Sequence, residues 1–129
     1  MRDPEALAAV VIDQAYHLHR DIGPGLLEHV YEAVLADRLR AQNLKVETQK
    51  PIAVLLDGKK YDNAFRADLI VNDALLVEIK SLEKWSPVHI KQCLTYIRLL
   101  NMPLGLLINF GAATFKEGIK RIMNERVSR

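Results

Sequence analysis

Apolar residues recur every three or four positions in the first third of the chain, which is the spacing of amphipathic helices. A first helix is predicted over residues 4–21 by Leu7, Val10, Val11, Leu18 and Ile22. Asp3-Pro4 marks its start as an N-cap followed by proline, and Gly23-Pro24-Gly25 ends it. A second helix is predicted over residues 26–42, with an inward face made by Leu27, Val30, Tyr31, Val34, Leu35 and Leu39.

After Asn43 the pattern changes to that of extended segments. Val46, Thr48 and residues 52–56 form the first, with Pro51 as a bulge or an edge break, and Asp57-Gly58 is a hairpin-turn sequence. Residues 65–71 and 75–79 predict two more strands. Ser86-Pro87 begins a third helix that ends near Asn101, and a buried strand at 104–109 and a last helix at 113–124 follow.

The resulting order, ααβββαβα, predicts an α/β protein. A strand, a helix and a second strand over residues 75–109 indicate a right-handed parallel crossover, attached to an antiparallel meander. We therefore expect a mixed β-sheet flanked by helices.

Composition excludes several classes of protein. The 129 residues are 50% hydrophobic and 26% charged, so we expect one folded domain over residues 1–129. The longest apolar run, residues 6–12, is too short to span a membrane, and the N-terminus does not resemble a signal peptide. A single cysteine, Cys93, forms no internal disulfide and fits a reducing compartment. The expected location is the cytoplasm.

The net charge of +2 is too small to indicate nucleic-acid binding by itself. Residues 116–129 are more basic, with five basic and two acidic side chains. That stretch fits a solvated helix face, and it would also suit a phosphate backbone.

The chemically unusual segment is the strand pair at 65–79, because it places Asp68, Glu78 and Lys80 in apolar surroundings. Side chains alternate along a strand, so Glu78 and Lys80 share a face. A two-residue turn at Asn72-Asp73 would send Glu78 to the face opposite Asp68. A three-residue loop over 72–74 would instead pair Asp68 with Glu78. We predict this loop or an equivalent bulge, with Asn72 or Asp73 in its strained position.

Two carboxylates side by side on a half-buried sheet repel one another and lose hydration. They need a counter-ion, and Lys80 supplies one positive charge. A divalent cation would supply more, and hard oxygen ligands select Mg²⁺ or Mn²⁺. The alternative interpretation is an exposed polar sheet face with a salt bridge worth at most about 1 kcal/mol.

Four motifs along the chain carry a resemblance to a known family. Asp68, followed after nine residues by Glu78-Ile79-Lys80, resembles the core of the PD-(D/E)XK nuclease superfamily. Gly25-Leu-Leu-Glu28-His-Val-Tyr31 is similar to the motif that names the GxxExxY family within it. Gln92-Cys-Leu-Thr-Tyr96 resembles the Q-x-x-x-Y motif of RecB-like members. Leu106-Leu-Ile-Asn109-Phe-Gly111 resembles the strand that follows, and the similarity runs in order from about residue 5 to 124.

The resemblance implies a restriction-endonuclease-like core and a Mg²⁺- or Mn²⁺-dependent nuclease that hydrolyses phosphodiester bonds with a metal-activated water. Lys80 would orient that water and stabilise developing negative charge. Gln92 and Tyr96 would flank the metal or the scissile phosphate. The implied metal ligands are Asp68, Glu78, the carbonyl of Ile79 and, directly or through water, Glu28. Ala67 stands where many members have proline.

The residues by themselves leave other interpretations open. Glu28 lies in the first helical turn, where a carboxylate favours the helix dipole by about 0.3–1 kcal/mol. Gln92 and Tyr96 share a helix face beside the apolar stripe, and such a pair is often a rim contact. A zinc site at His89 and Cys93 is not favoured, because Cys93 falls on that stripe and structural zinc normally has four ligands.

Two functions of different classes follow. The first is the nuclease, acting on nucleic acid, DNA rather than RNA, without visible base-sequence recognition. The second is a catalytically silent module that keeps the nuclease fold and binds nucleic acid or a protein partner. A homodimer is an open expectation in either case, with the apolar N-terminal helix as a candidate interface. No membrane partner is expected.

Overall fold

The computed structural model describes residues 1–126; residues 127–129, the end of the basic stretch, lie outside the described part. Its helices are α1 (Pro4–Ile22), α2 (Glu28–Arg40) and α3 (Pro87–Leu99). Its strands are β1 (Val46–Leu56), β2 (Lys59–Val71), β3 (Leu75–Lys80), β4 (Leu104–Asn109) and β5 (Ile119–Met123), and a 3₁₀ turn covers Lys116–Gly118. No helix in residues 1–126 is long and apolar enough to cross a membrane.

The strands form one sheet in the order β1-β2-β3-β4-β5. Neighbouring strands are antiparallel except β3 and β4, which are parallel and are joined by α3. The predicted mixed sheet, an antiparallel meander with one parallel crossover, is therefore confirmed.

The predicted last helix over 113–124 is wrong. Ile119 and Ile122 have helical spacing, but they lie on opposite faces of the sheet as alternating residues of a strand. The reason is that β4 is buried along its whole length, so its second edge needs a backbone partner. Strand β5 supplies that partner by antiparallel pairing from Leu104↔Met123 to Ile108↔Ile119.

Each face of the sheet carries its own apolar cluster. The larger cluster lies under α1 and α2, and the smaller lies under α3 around Cys93 and Ile97. The apolar face of α1 is fully used in this packing, since Leu7 and Val11 are completely buried. It is not available as the dimer interface that the sequence suggested. Leu27, which was expected to point inward, is 68% exposed, and Ile22, the last residue of the predicted helical pattern of α1, is 52% exposed.

Turns between the strands have the expected sequences. Asp57 and Gly58 both have positive φ, 51° and 75°, as a type I′ hairpin turn requires. Because this tight turn starts the return strand at once, β2 begins at Lys59 rather than at residue 65. The β1–β2 hairpin is therefore longer than predicted.

This hairpin changes faces halfway along its length. Phe65 and Ala67 pack in the cluster under α3, whereas Leu69 and Val71 pack under α1 and α2. A regular strand would place all four on one face. The change occurs at Asp68, opposite Gln49, whose φ of 47° is left-handed. Distortions of this kind concentrate next to functional sites, where they re-aim a side chain.

Candidate active site

The register between β2 and β3 brings Asp68 and Glu78 together. Val71 pairs with Leu75 and Leu69 pairs with Val77, which is the register of the predicted three-residue loop. Asn72 and Asp73 both adopt left-handed φ, 49° and 54°, and this accommodates the extra residue.

Beyond Leu69↔Val77 the two acidic side chains replace the backbone pairing. The Asp68 N–H donates to Glu78 Oε2 at 2.8 Å, and the Ile79 N–H donates to Asp68 Oδ2 at 2.8 Å. Each carboxylate thus satisfies a backbone donor of the other strand. This reciprocal arrangement fixes both side chains at the gap where the two strands separate.

Burial makes the charged forms of this pair unfavourable. Glu78 is 4% exposed, and burial, followed by the negative charge of Asp68, raises its pKa to about 8. Burial is also the main cause that raises the pKa of Asp68, against the opposing effect of its hydrogen bond from Ile79. The positive charge of Lys80 acts to lower the pKa of both carboxyls but does not outweigh burial.

Lys80 shares the sheet face of Glu78, yet neither it nor the two carboxylates take part in any of the ion pairs within residues 1–126. The Lys80 carbonyl accepts from the Phe110 N–H beyond the end of β4. The backbone N–H of Ile79 points to the opposite edge of β3, toward β2, since it donates to Asp68. In a strand the N–H and C=O of one residue point to the same side, so the Ile79 carbonyl also faces the gap beside Asp68.

An open cleft of about 590 Å³ lies between the start of α2 and this gap. Its lining residues are Leu26, Leu27, Glu28, His29, Glu32, Gln49, Asp68 and Ser81. The structure thus places Glu28 and Asp68 in one cleft, and Glu28 Oε1 accepts from the Ser81 N–H at 3.3 Å.

Sequence reasoning missed Glu32 and Gln49. Glu32 is 8% exposed, and burial raises its pKa, with the Gln49 hydrogen bond opposing that rise. Gln49 Nε2 lies 3.0 Å from both Glu32 oxygens and 3.0 Å from Asp68 Oδ1. The spacing of Glu32, four residues after Glu28 on one helix face, was a usable signal. The sequence carries no such signal for Gln49, because its role depends on the distortion of the hairpin opposite Asp68.

Tyr31, the last residue of the Gly25–Tyr31 motif, shapes the site from the core. Its ring stacks on Phe110 at 4.5 Å between centroids. Its hydroxyl donates to the Gly23 carbonyl at 2.6 Å and accepts from the Leu26 N–H at 3.1 Å. Tyr31 therefore holds the glycine turn that leads into α2.

Asn109, next to Phe110, holds the segment that follows Lys80. Its side chain accepts from the Leu82 N–H at 2.8 Å and donates to the Leu82 carbonyl at 2.9 Å. Gly111 passes so close that a Cβ there would lie 2.5 Å from the Leu82 carbonyl oxygen. Ser81 in turn donates through Oγ to the Leu26 carbonyl at 2.8 Å. Three of the four motifs thus meet in one structural unit behind the cleft.

Tyr96 and Gln92 lie on α3, on the other side of the sheet. Tyr96 stacks on Phe65 with 3.9 Å between ring centroids. Its pKa is raised first by burial and then by the charges of Glu78 and Asp68. Gln92 is exposed, and neither it nor Tyr96 lines the cleft.

The donor set fits a hard divalent cation in its chemistry. The candidate ligands are all oxygens, and neither the buried Glu78 nor the partly buried Asp68 forms an ion pair within residues 1–126. In the arrangement of residues 1–126, however, no three His, Cys, Asp or Glu side chains are close enough together to enclose an ion.

Comparison with known proteins agrees with this geometry. A family model described as the PD-(D/E)XK nuclease superfamily matches residues 5–122. No curated protein and no solved structure matches the chain significantly.

Proposed function

The chain belongs to the PD-(D/E)XK nuclease superfamily, and from that premise we propose that it is a metal-dependent nuclease that hydrolyses phosphodiester bonds of nucleic acid. Members of the superfamily generally use divalent metal ions. The observation that carries the proposal is the Asp68–Glu78 pair, held by reciprocal backbone hydrogen bonds at the gap between β2 and β3 and forming no ion pair within residues 1–126.

The ligands of the proposed metal would be Asp68, Glu78, the Ile79 carbonyl and, directly or through water, Glu28. A divalent cation, Mg²⁺ or Mn²⁺, when bound, polarises the phosphate and lowers the pKa of the attacking water. The chain's own contribution begins with backbone hydrogen bonds that fix both carboxylates before substrate arrives. Preorganised groups of this kind need no rearrangement at the moment of reaction.

Lys80 supplies one positive charge to the site. Because it lies on the face of Glu78 and is free of ion pairs in the described residues, its ammonium can donate to the attacking water and to the negative charge that develops on phosphorus oxygens. Tyr96 and Gln92 belong to the rim of the same site in this proposal, as the resemblance of their motif implies.

Finer assignments belong to the same proposal. The Gly25–Tyr31 motif, whose tyrosine and glutamate hold the turn and line the cleft, supports placement in the GxxExxY family. DNA is the proposed substrate ahead of RNA, and the cytoplasm is the proposed location, supported by the lone buried Cys93. A homodimer would need a surface other than the apolar face of α1.

The alternative is a catalytically silent module that keeps the fold and binds nucleic acid or a protein. It is favoured by the absence, within residues 1–126, of three acidic or imidazole side chains placed to enclose an ion.

Cleavage assays separate the two. End-labelled single- and double-stranded DNA and RNA are incubated with the protein in Mg²⁺, Mn²⁺ or EDTA. We expect cleavage only with metal, and a loss of at least about 100-fold in Asp68→Asn and in Lys80→Met, since each removes one group of the mechanism.

Matched controls are Asp62→Asn and Lys84→Met, which change exposed residues of the same type and should cut like the parent. If no substrate is cut, or if Asp68→Asn and Lys80→Met cut as fast as their controls, the nuclease proposal is refuted. Salt-sensitive DNA binding without cleavage would then support the silent module.

A further inference from the structure

The side-chain amide of Gln49 is the hydrogen-bonding centre of the cleft. Its Nε2 atom is 3.0 Å from Glu32 Oε1, 3.0 Å from Glu32 Oε2 and 3.0 Å from Asp68 Oδ1. One amide group thus bridges a carboxylate of α2 and a carboxylate of β2. Nothing in the metal-dependent mechanism above uses this bridge.

The backbone of Gln49 is held in an unfavourable conformation. Its φ of 47° is left-handed, which costs a residue with a side chain on the order of 1–2 kcal/mol. Such strain persists where the surrounding structure determines it. Gln49 lies opposite Asp68, at the point where the β1–β2 hairpin changes faces, so this conformation decides where its side chain goes.

Each carboxylate oxygen of Asp68 accepts a hydrogen bond from a different residue. The Ile79 N–H donates to Oδ2, and the Gln49 amide donates to Oδ1. With only one of these bonds the carboxylate could rotate about the bond that joins it to Cβ. With both, its plane is fixed relative to β3. Glu32, buried on α2, in turn fixes the Gln49 amide.

We propose that Gln49 is a positioning residue: anchored by Glu32, its amide fixes the Asp68 carboxylate in the orientation that binds a divalent cation. The cation part of this inference rests on the proposed nuclease function, whereas the orientation of Asp68 is independent of any metal. Removing a hydrogen-bond partner behind a metal ligand typically lowers metal affinity 10- to 100-fold, and we expect a loss in that range.

The first measurement needs no metal. The Ile79 amide donates to Asp68 Oδ2, so its hydrogen exchange, followed by NMR in EDTA, reports how well Asp68 is held. In Gln49→Ala we expect this exchange to be at least about tenfold faster than in the parent, relative to the Ile108 amide of β4. Gln42→Ala, which changes an exposed glutamine in the turn after α2, is the matched control and should leave it unchanged.

A second variant is needed in case Gln49→Ala does not fold. Gln49→Gly also removes the amide but relieves the left-handed backbone, so it keeps the test valid if Gln49→Ala is unstable. Equal Ile79 exchange in the parent and in whichever of the two variants remains folded would overturn the proposal.

The second measurement is calorimetric titration with Mn²⁺, at a temperature where all variants are folded. We expect 10- to 100-fold weaker binding in the two Gln49 variants and parental binding in Gln42→Ala. Parental Mn²⁺ affinity in the Gln49 variants would overturn the role in cation binding. If the parent binds no Mn²⁺, the nuclease proposal fails, and the Ile79 exchange still decides whether Gln49 positions Asp68.

Discussion

Raising the pH without metal should destabilise the protein because of Glu78. Burial and the charge of Asp68 raise the pKa of Glu78 from its ordinary value of 4.5 to about 8. The folded state therefore keeps a proton that the unfolded chain releases from about pH 4.5 upward, so stability falls as the pH rises and the fall ends near the folded pKa. Asp68, whose pKa burial also raises, acts in the same direction.

The magnitude follows from the proton linkage. One such proton is worth about 1.4 kcal/mol per pH unit. Between pH 5.5 and 7.5 the free energy of unfolding should therefore fall by up to about 3 kcal/mol, or on the order of 10 °C in Tm for a chain of this size. The assay is urea unfolding in EDTA across this range. Mg²⁺, which favours the charged carboxylates, should raise stability at pH 7.5 more than at pH 5.5.

Glu78→Gln tests the assignment. The amide oxygen can still accept from the Asp68 N–H but cannot titrate, so the variant should lose most of the pH slope. Glu83→Gln, at an exposed position after β3, is the control and should keep the parental slope. A parental slope in Glu78→Gln would show that the pH dependence arises elsewhere and would refute the reasoning.

Three further substitutions test the unit behind the cleft. Asn109→Ala leaves the backbone N–H and carbonyl of Leu82 without their side-chain partners. It should lower the free energy of unfolding, measured with urea, by about 2–4 kcal/mol. A loss below about 1 kcal/mol would contradict this expectation. Gly111→Ala would place a Cβ against the Leu82 carbonyl and should lower the free energy of unfolding by about 1–3 kcal/mol in the same assay. An unfolding midpoint equal to that of the parent would show that the backbone around Leu82 moves aside without cost. Tyr31→Phe keeps the stacking on Phe110 but loses two hydrogen bonds. Thermal unfolding should therefore show a loss of stability of about 1–2 kcal/mol. The control Tyr61→Phe, which changes an exposed ring, should show no loss.

Much of the fold was predictable because local signals agreed with the tertiary structure. Proline after an N-cap residue marked the start of α1 and α3, and Asp57-Gly58 marked a hairpin. The last strand was not predictable in this way. Ile119 and Ile122 suit a helix locally, and only the open edge of β4 turns them into a strand.

The candidate site was also predictable from the sequence only in part. The spacing of Asp68 and Glu78 predicted their meeting once a three-residue loop was assumed, because a strand has a period of two. Gln49 could not be found, since no local pattern marks a residue whose importance comes from a distortion opposite Asp68. Gln92, identified by its motif, lies exposed on α3 and outside the cleft.

By itself, the sequence determined the three long helices, the hairpin turn at Asp57-Gly58 and the superfamily motifs, because each depends on neighbours within a few residues. It also predicted the register that joins Asp68 to Glu78, provided that residues 72–74 form a three-residue loop. The tertiary structure alone decided that the chain from Ile119 to Met123 becomes an edge strand, and that Glu32 and Gln49 reach the acidic pair. It also decided how far that pair is buried. These features depend on pairing and packing between segments distant in sequence, whose free energies exceed the local preferences of the residues involved.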